Sequence, residues 1–134
     1  MIAYLVLLVL ANASSNFESY QSVGANCSAT ITPFQITSFV VNPWPITNQT
    51  SVDVSVTGTL SATTYVNEFW ISSTSQNYFN NQQATISRQY FPGSITFPIT
   101  YQVQYPSAYW LAVFTLRDSN FKILACWQFG YTSI

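Results

Sequence analysis

The chain has 134 residues, enough for one domain with its own core, and 49% of them are hydrophobic, 17% aromatic and only 5% charged. An ordinary soluble domain is about 25% charged, so here Ser, Thr, Asn and Gln must make the surface. Three Lys or Arg and a net charge of −1 leave no basic footprint for a phosphate backbone, which excludes nucleic acid as a partner.

Residues 1–13 read as a secretory signal peptide, leaving 14–134 as a single mature domain. The stretch "MIAYLVLLVL" is apolar without a break from Ile2 to Leu10, whereas a helix needs about 20 such residues to span a bilayer. Ala11-Asn12-Ala13 then supplies small residues at the two positions a signal peptidase reads, so cleavage is expected after Ala13. Export to a lumen or the outside gives meaning to two acceptor patterns for N-linked sugar, Asn26-Cys27-Ser28 and Asn48-Gln49-Thr50.

Beyond that segment the dominant period is two. In "SVDVSVTG" Val52, Val54 and Val56 point inward and Asp53 and Ser55 outward, with an end expected at Gly58. Residues 60–71 are extended without a clear period, and the polar run 72–83, "SSTSQNYFNNQQ", reads as a long loop. In "ITFPITYQVQY" Ile95, Phe97, Ile99, Tyr101, Val103 and Tyr105 alternate with polar residues and Pro98. Proline cannot donate to a ladder, which places Pro98 at an edge or a free N–H position.

In "AYWLAVFTLRD" the set Trp110, Ala112, Phe114, Leu116 stays apolar while the other parity runs into Thr115 and Arg117. A turn at Asp118-Ser119-Asn120 makes a hairpin with the last strand, on which Ile123, Ala125, Trp127, Phe129 and Tyr131 share one face. No stretch has a helical period, and β-branched and aromatic residues prevail. The fold class is all-β, a sandwich of two antiparallel sheets.

Cys27 and Cys126 are the two cysteines, and in an oxidising lumen two lone cysteines pair. A bridge between them staples the first strand to the last. Closing a loop of about 100 residues restricts the unfolded chain by about 4.7 kcal/mol in the chain-entropy model. An immunoglobulin domain proper differs, because its disulfide joins interior strands. Two cysteines without histidine make no zinc site, so neither a metal nor a cofactor is expected.

Catalysis has little to work with. The chain has no histidine, which removes Ser-His and Cys-His nucleophile systems. Its four acids, Glu18, Asp53, Glu68 and Asp118, are scattered singly rather than paired. An enzyme is not expected.

The segment from Tyr105 to the C-terminus resembles the signature of the MD-2-related lipid-recognition (ML) family. Tyr105-Pro106-Ser107, Leu116-Arg117-Asp118 and Cys126-Trp127 match its pattern without gaps, most nearly in the Niemann-Pick type C2 sterol-carrier branch. The leading cysteine, the Pro-containing "VNPWPITNQT" and the alternating strand before Gly58 follow the family's order, and a first-to-last disulfide is also the family's. The branch's extra disulfides are absent, and Pro43-Trp44-Pro45 has Trp where the branch has Cys.

The resemblance implies an immunoglobulin-like β-sandwich whose sheets part to hold one lipid. A sterol, a phospholipid, a glycolipid and a fatty acyl chain are all open as the ligand. It carries the branch's pocket onto Ile99, Tyr101, Tyr105 and Phe114, with Val54 and Phe69 added by a looser alignment. Trp110 and Leu116 complete the inward set, in which large rings can lie against an apolar ligand while tyrosine hydroxyls stay wet. The implied partners are the lipid and a transient membrane or membrane-receptor contact, in a secreted or endosomal and lysosomal setting. The competing reading is a sandwich with a filled core, serving as a structural subunit among protein assembly partners.

Overall fold

The computed structural model describes residues 22–104 and 108–133. The expected signal peptide 1–13, Glu18 and the Tyr105-Pro106-Ser107 motif lie outside them. Eight strands and no helix occur among the described residues: β1 (Ala25–Asn26), β2 (Phe34–Asn42), β3 (Ser51–Leu60), β4 (Thr64–Ser75), β5 (Tyr78–Tyr90), β6 (Gly93–Gln102), β7 (Tyr109–Arg117) and β8 (Ile123–Thr132). They form a five-stranded sheet in the order β1-β8-β7-β4-β5 and a three-stranded sheet in the order β2-β3-β6. Every pairing is antiparallel, giving the two-sheet sandwich that the alternation predicts.

Period two does the sorting. Val52, Val54 and Val56 are buried while Asp53 and Ser55 are exposed. Opposite them on β6 stand Tyr101, Ile99 and Phe97, also buried. On the facing sheet Trp110, Ala112, Phe114 and Leu116 are all 1% exposed or less. Pro98 is on β6, which pairs with β3 alone and so leaves a free edge. Gly58 does not end β3, which runs on to the buried Leu60. A Cβ at Gly58 would meet the Phe34 ring and the Gln35 carbonyl, so the glycine makes room for Phe34 within the strand.

Residues 72–83 are not a loop. β4 continues to Ser75, turns at Gln76-Asn77, and returns as β5 with Ser75 opposite Tyr78. β5 is the edge strand of its sheet and none of its residues is fully buried, so neither parity needs to be apolar and the sequence shows no period. The missing period in 60–71 has a related cause. The β4–β5 register shifts between Val66 and Glu68, beside Ser87 at φ 48°, and the inward set passes from Val66 to Phe69, Ile71 and Ser73.

The last strand departs from expectation at one residue. Leu116 faces Ala125 but Arg117 faces Ile123, so Leu124 is an extra residue in the ladder. Leu124 is buried in place of Ile123, which is 44% exposed.

Hydrogen bonds tie the two sheets at both lateral seams. On one side the Gln82 amide donates to the Gln102 carbonyl and accepts from its N–H, each at 2.9 Å, as a neighbouring strand's peptide would. On the other, the Val23 N–H donates to the Phe39 carbonyl at 2.9 Å and the Phe39 N–H to Ser22 Oγ at 2.9 Å. The same stretch continues into β1, which pairs with β8. Cys27 and Cys126 form the expected disulfide, 99 positions apart in sequence.

A Cys27→Ser, Cys126→Ser double variant should lose about 2–5 kcal/mol of stability. Chemical denaturation with and without the bridge measures this. Equal midpoints would mean that the hydrogen bonds alone hold that seam.

Candidate functional site

The sequence-predicted lining residues converge on one layer. Val54, Ile99 and Tyr101 come from the three-stranded sheet; Phe69, Trp110, Phe114 and Leu116 come from the five-stranded one. Cross-strand pairing puts Val54 beside Ile99, Phe69 beside Leu116 and Ile71 beside Phe114. All but Phe69 are 5% exposed or less, and Phe69 packs on the edge of the same cluster. Tyr105 lies outside the described residues.

Rings hold this layer together. Phe39 is 5.9 Å from Phe114, 5.9 Å from Trp127 and 5.5 Å from Phe129 between ring centroids. Tyr101 meets Phe129 at 5.7 Å and Phe69 meets Phe114 at 6.1 Å, distances at which ring edges and faces attract. Sequence reasoning missed Phe39 and its partner at the other end of the strand, Phe34. The signal is split: Phe34 and Ile36 share one parity and Phe39 and Val41 the other, because β2 has a register shift between Ile36 and Ser38.

One polar feature crosses the layer. Ser73 Oγ is 2.8 Å from the Tyr101 hydroxyl, which is 2.7 Å from the Tyr131 hydroxyl. The Gln104 N–H donates to Tyr131 at 3.1 Å, and Ser133 Oγ donates to the Gln104 carbonyl at 3.1 Å. All five residues are buried. Burial pushes the Tyr101 phenol far above the ordinary tyrosine range, and burial also raises Tyr131, opposed there by hydrogen bonds from Tyr101 and Gln104. The buried polar residues, Ser73, Gln104, Thr115 and Ser133, include no charged one among the described residues.

Two surface clefts lie at opposite ends of the sandwich. One, of about 1000 Å³, is lined by Thr74 through Phe79 with Ala108 and Tyr109. The other, of about 730 Å³, is lined by Cys27 through Pro33 with Ser61, Lys122, Ile123 and Cys126. None of the predicted lining residues among those described borders either cleft.

Glu68 on β4 is half-buried, with its Oε1 enclosed and without a hydrogen-bond partner among the described residues, while Asn26, Asn48, Asp53 and Asp118 sit at the surface. Asn26 is exposed on β1, its Oδ1 accepting from the Ser28 N–H at 2.7 Å, and Asn48 is exposed between β2 and β3. Asp53 is exposed, and Asp118 shapes its turn by accepting from the N–H groups of Asn120 at 2.8 Å and Lys122 at 2.9 Å. Among the described residues no group of three or more His, Cys, Asp or Glu is placed to hold a metal ion.

No protein-family profile and no curated protein matches the sequence. Solved structures do match the fold. A Niemann-Pick type C2 protein from the Japanese carpenter ant superposes with a TM-score of 0.64 at 12% identity, over 84% of this chain and 99% of that one. The C-terminal domain of wzt superposes with a TM-score of 0.59 at 11% identity, over 87% of this chain and 81% of that one. At such identities the likeness is one of fold.

The tyrosine chain makes stability pH-dependent on the alkaline side. A phenol in an unfolded chain ionises near pH 10. Tyr101 and Tyr131 are held neutral to higher pH in the fold, so above about pH 10 the folded state binds more protons than the unfolded state. Their contribution is intact below that pH and lost as pH rises. The melting temperature should fall from about pH 10 upward. Tyr101→Phe should lower stability at pH 7 by about 1–3 kcal/mol, because it leaves Ser73 without its buried partner, and should flatten the alkaline fall. Unchanged pH profiles in circular-dichroism melts would show that these phenols are not what limits alkaline stability.

Proposed function

We propose that this chain is a secreted or lumenal lipid carrier of the Niemann-Pick type C2 kind within the ML family, sequestering one lipid between its sheets. The observation that carries the reading is the likeness of fold over 99% of a Niemann-Pick type C2 protein, joined to an inter-sheet layer that is apolar apart from one neutral hydroxyl chain. The first-to-last disulfide supports an oxidising compartment. The ligand takes the place of side chains that meet across the layer, with Ile99, Tyr101, Phe69 and Phe114 against it and Val54, Trp110 and Leu116 behind. Tyr105 is a further lining position on the reading from sequence.

The mechanism is partition. Each Å² of ligand apolar surface removed from water contributes about 25 cal/mol, against the cost of ordering the ligand and moving the side chains apart. The protein performs no reaction on its ligand. Asp53 lies on a strand surface and Asp118 shapes a turn, Glu68 has no second acid beside it in the sequence, and no histidine is present to shuttle a proton. Loading and unloading call for a transient contact with a membrane or a membrane receptor.

A second reading has its own support. The interior residues meet ring to ring, and Phe91, Phe79 and Phe121 are 70%, 68% and 63% exposed at the surface. A filled sandwich whose exposed rings are covered by neighbouring subunits of an assembly would look the same.

Native mass spectrometry of protein purified from its own source, followed by lipid extraction, separates the two. One bound lipid per chain is the expected result. A clean unliganded mass, with no uptake of sterol, phospholipid or fatty acid, would overturn the carrier reading in favour of the assembly subunit. Ile99→Arg places a charge in the layer and should abolish lipid pickup; a folded Ile99→Arg protein that still extracts lipid would move the pocket elsewhere.

A further inference from the structure

The cleft of about 1000 Å³ at the tip of the β4–β5 hairpin is unlike the interior. Three aromatic rings border it, and they are exposed: Phe79 by 68%, Tyr109 by 62% and Tyr78 by 52%. Two of them are held by a neighbour while staying exposed. Tyr109 reaches over Gly130 on the neighbouring strand, where a Cβ would fall on its hydroxyl. Tyr78 is tilted by 44° against the Trp110 ring, with centroids 6.2 Å apart. Rings that are held at one contact and otherwise exposed can serve as platforms for a ligand.

Between the rings stand Thr74, Ser75, Gln76 and Asn77. Their side chains make no hydrogen bond to any described residue, so hydroxyls and amides that both donate and accept are unspent. No charged side chain is among the described residues that line the cleft. β4 and β7 pair as far as Thr74 and Leu111, and beyond that pair Ser75 leads into the Gln76-Asn77 turn at the hairpin tip.

We infer that this cleft binds a neutral saccharide. A sugar ring has an apolar C–H face that lies against an aromatic platform and a rim of hydroxyls that pair with amides. Tyr with Ser, Thr, Asn and Gln supplies both at low entropic cost. The missing charge selects against sialylated, sulfated or phosphorylated glycans, which need a cation. A lipid surface fits less well, because the amides at the very tip would be stripped of water in hydrocarbon without a partner. The site does not rest on the carrier reading, since among the described residues it shares no lining residue with the inter-sheet layer.

Calorimetric titration of the full chain with maltotriose, chitotriose and mannotriose should give saturable binding to at least one, with a Kd of about 1 mM or tighter. Tyr109→Ala and Tyr78→Ala should each weaken it about tenfold, roughly 1.4 kcal/mol, and Tyr109→Ala should leave the melting temperature and any lipid occupancy unchanged. The inference is overturned if none of the three sugars binds at about 10 mM, if the variants bind as well as the parent, or if sialyllactose binds as tightly as the neutral sugars. Cosedimentation with phosphatidylcholine vesicles that needs Tyr78 and Tyr109, with no sugar bound, would also overturn it and make this end a membrane contact.

Discussion

The stretch Ser22–Cys27 belongs to both sheets, and the closed sandwich depends on it. Its first residues exchange hydrogen bonds with Phe39 on β2, and its last residues pair with β8. Gly24, at φ 82°, lets the chain cross over β8 where a Cβ would strike the Gln128 carbonyl and the Trp127 indole nitrogen. That indole donates to the Val23 carbonyl at 2.7 Å while its ring stacks on Phe39 at 5.9 Å. Phe39 and Trp127 are therefore joined twice, through the backbone of this stretch and through their rings. The disulfide then ties the end of the stretch to β8, adding a covalent bond to the hydrogen bonds that set the register of the seam.

A chain with 5% charged residues must do with neutral groups what ion pairs do elsewhere. The Gln82 amide closes the second seam, and Thr57 and Thr96 pair at 2.9 Å across β3 and β6. Ser72 donates to the Asn81 amide oxygen at 3.0 Å across the hairpin that the sequence reads as a loop. The arginines follow the same rule. Arg117 stands opposite Glu68 in the ladder, yet its guanidinium lies 4.2 Å from the centre of the Trp70 ring, and Arg88 lies 5.3 Å from that of Tyr90. Such contacts depend little on ionic strength compared with exposed ion pairs, which suits a surface built from amides and hydroxyls.

The parts of the fold legible in the sequence are those where one face is buried and the ladder is regular. β3, β6 and β7 meet both conditions, and their inward residues were readable one by one, Val54, Ile99, Tyr101, Phe114 and Leu116 among them. Legibility fails at the irregularities. The shift in β2 hides Phe39, that in β4 hides the turn from Val66 to Phe69, and the extra Leu124 displaces Ile123. It fails again at β5, where an edge strand exposed on both faces leaves no parity to see. The disulfide was readable because a pair of cysteines admits one pairing. Gln82 and the Ser73–Tyr101–Tyr131 chain were not, since each joins positions far apart in sequence whose meeting is set by the sandwich and not by any local pattern.

Two solved structures with different names share this fold at 12% and 11% identity, so the fold by itself does not select a ligand. The placement of its own polar groups is what this chain offers instead. With both lateral seams stitched, anything reaching the inter-sheet layer has to pass an end of the sandwich, between loops. The hydroxyl chain lies toward the end where β2–β3, β4–β5 and β6–β7 connect, and the aromatic cleft opens at that same end. The opposite end carries the disulfide and the tight Asp118 turn, with Phe34, Leu60 and Phe97 packed beneath. On the carrier reading proposed above, motion that admits a ligand is therefore expected where neutral hydrogen bonds can be exchanged for bonds to the ligand, and not where a covalent bond and a packed apolar plug would have to give way.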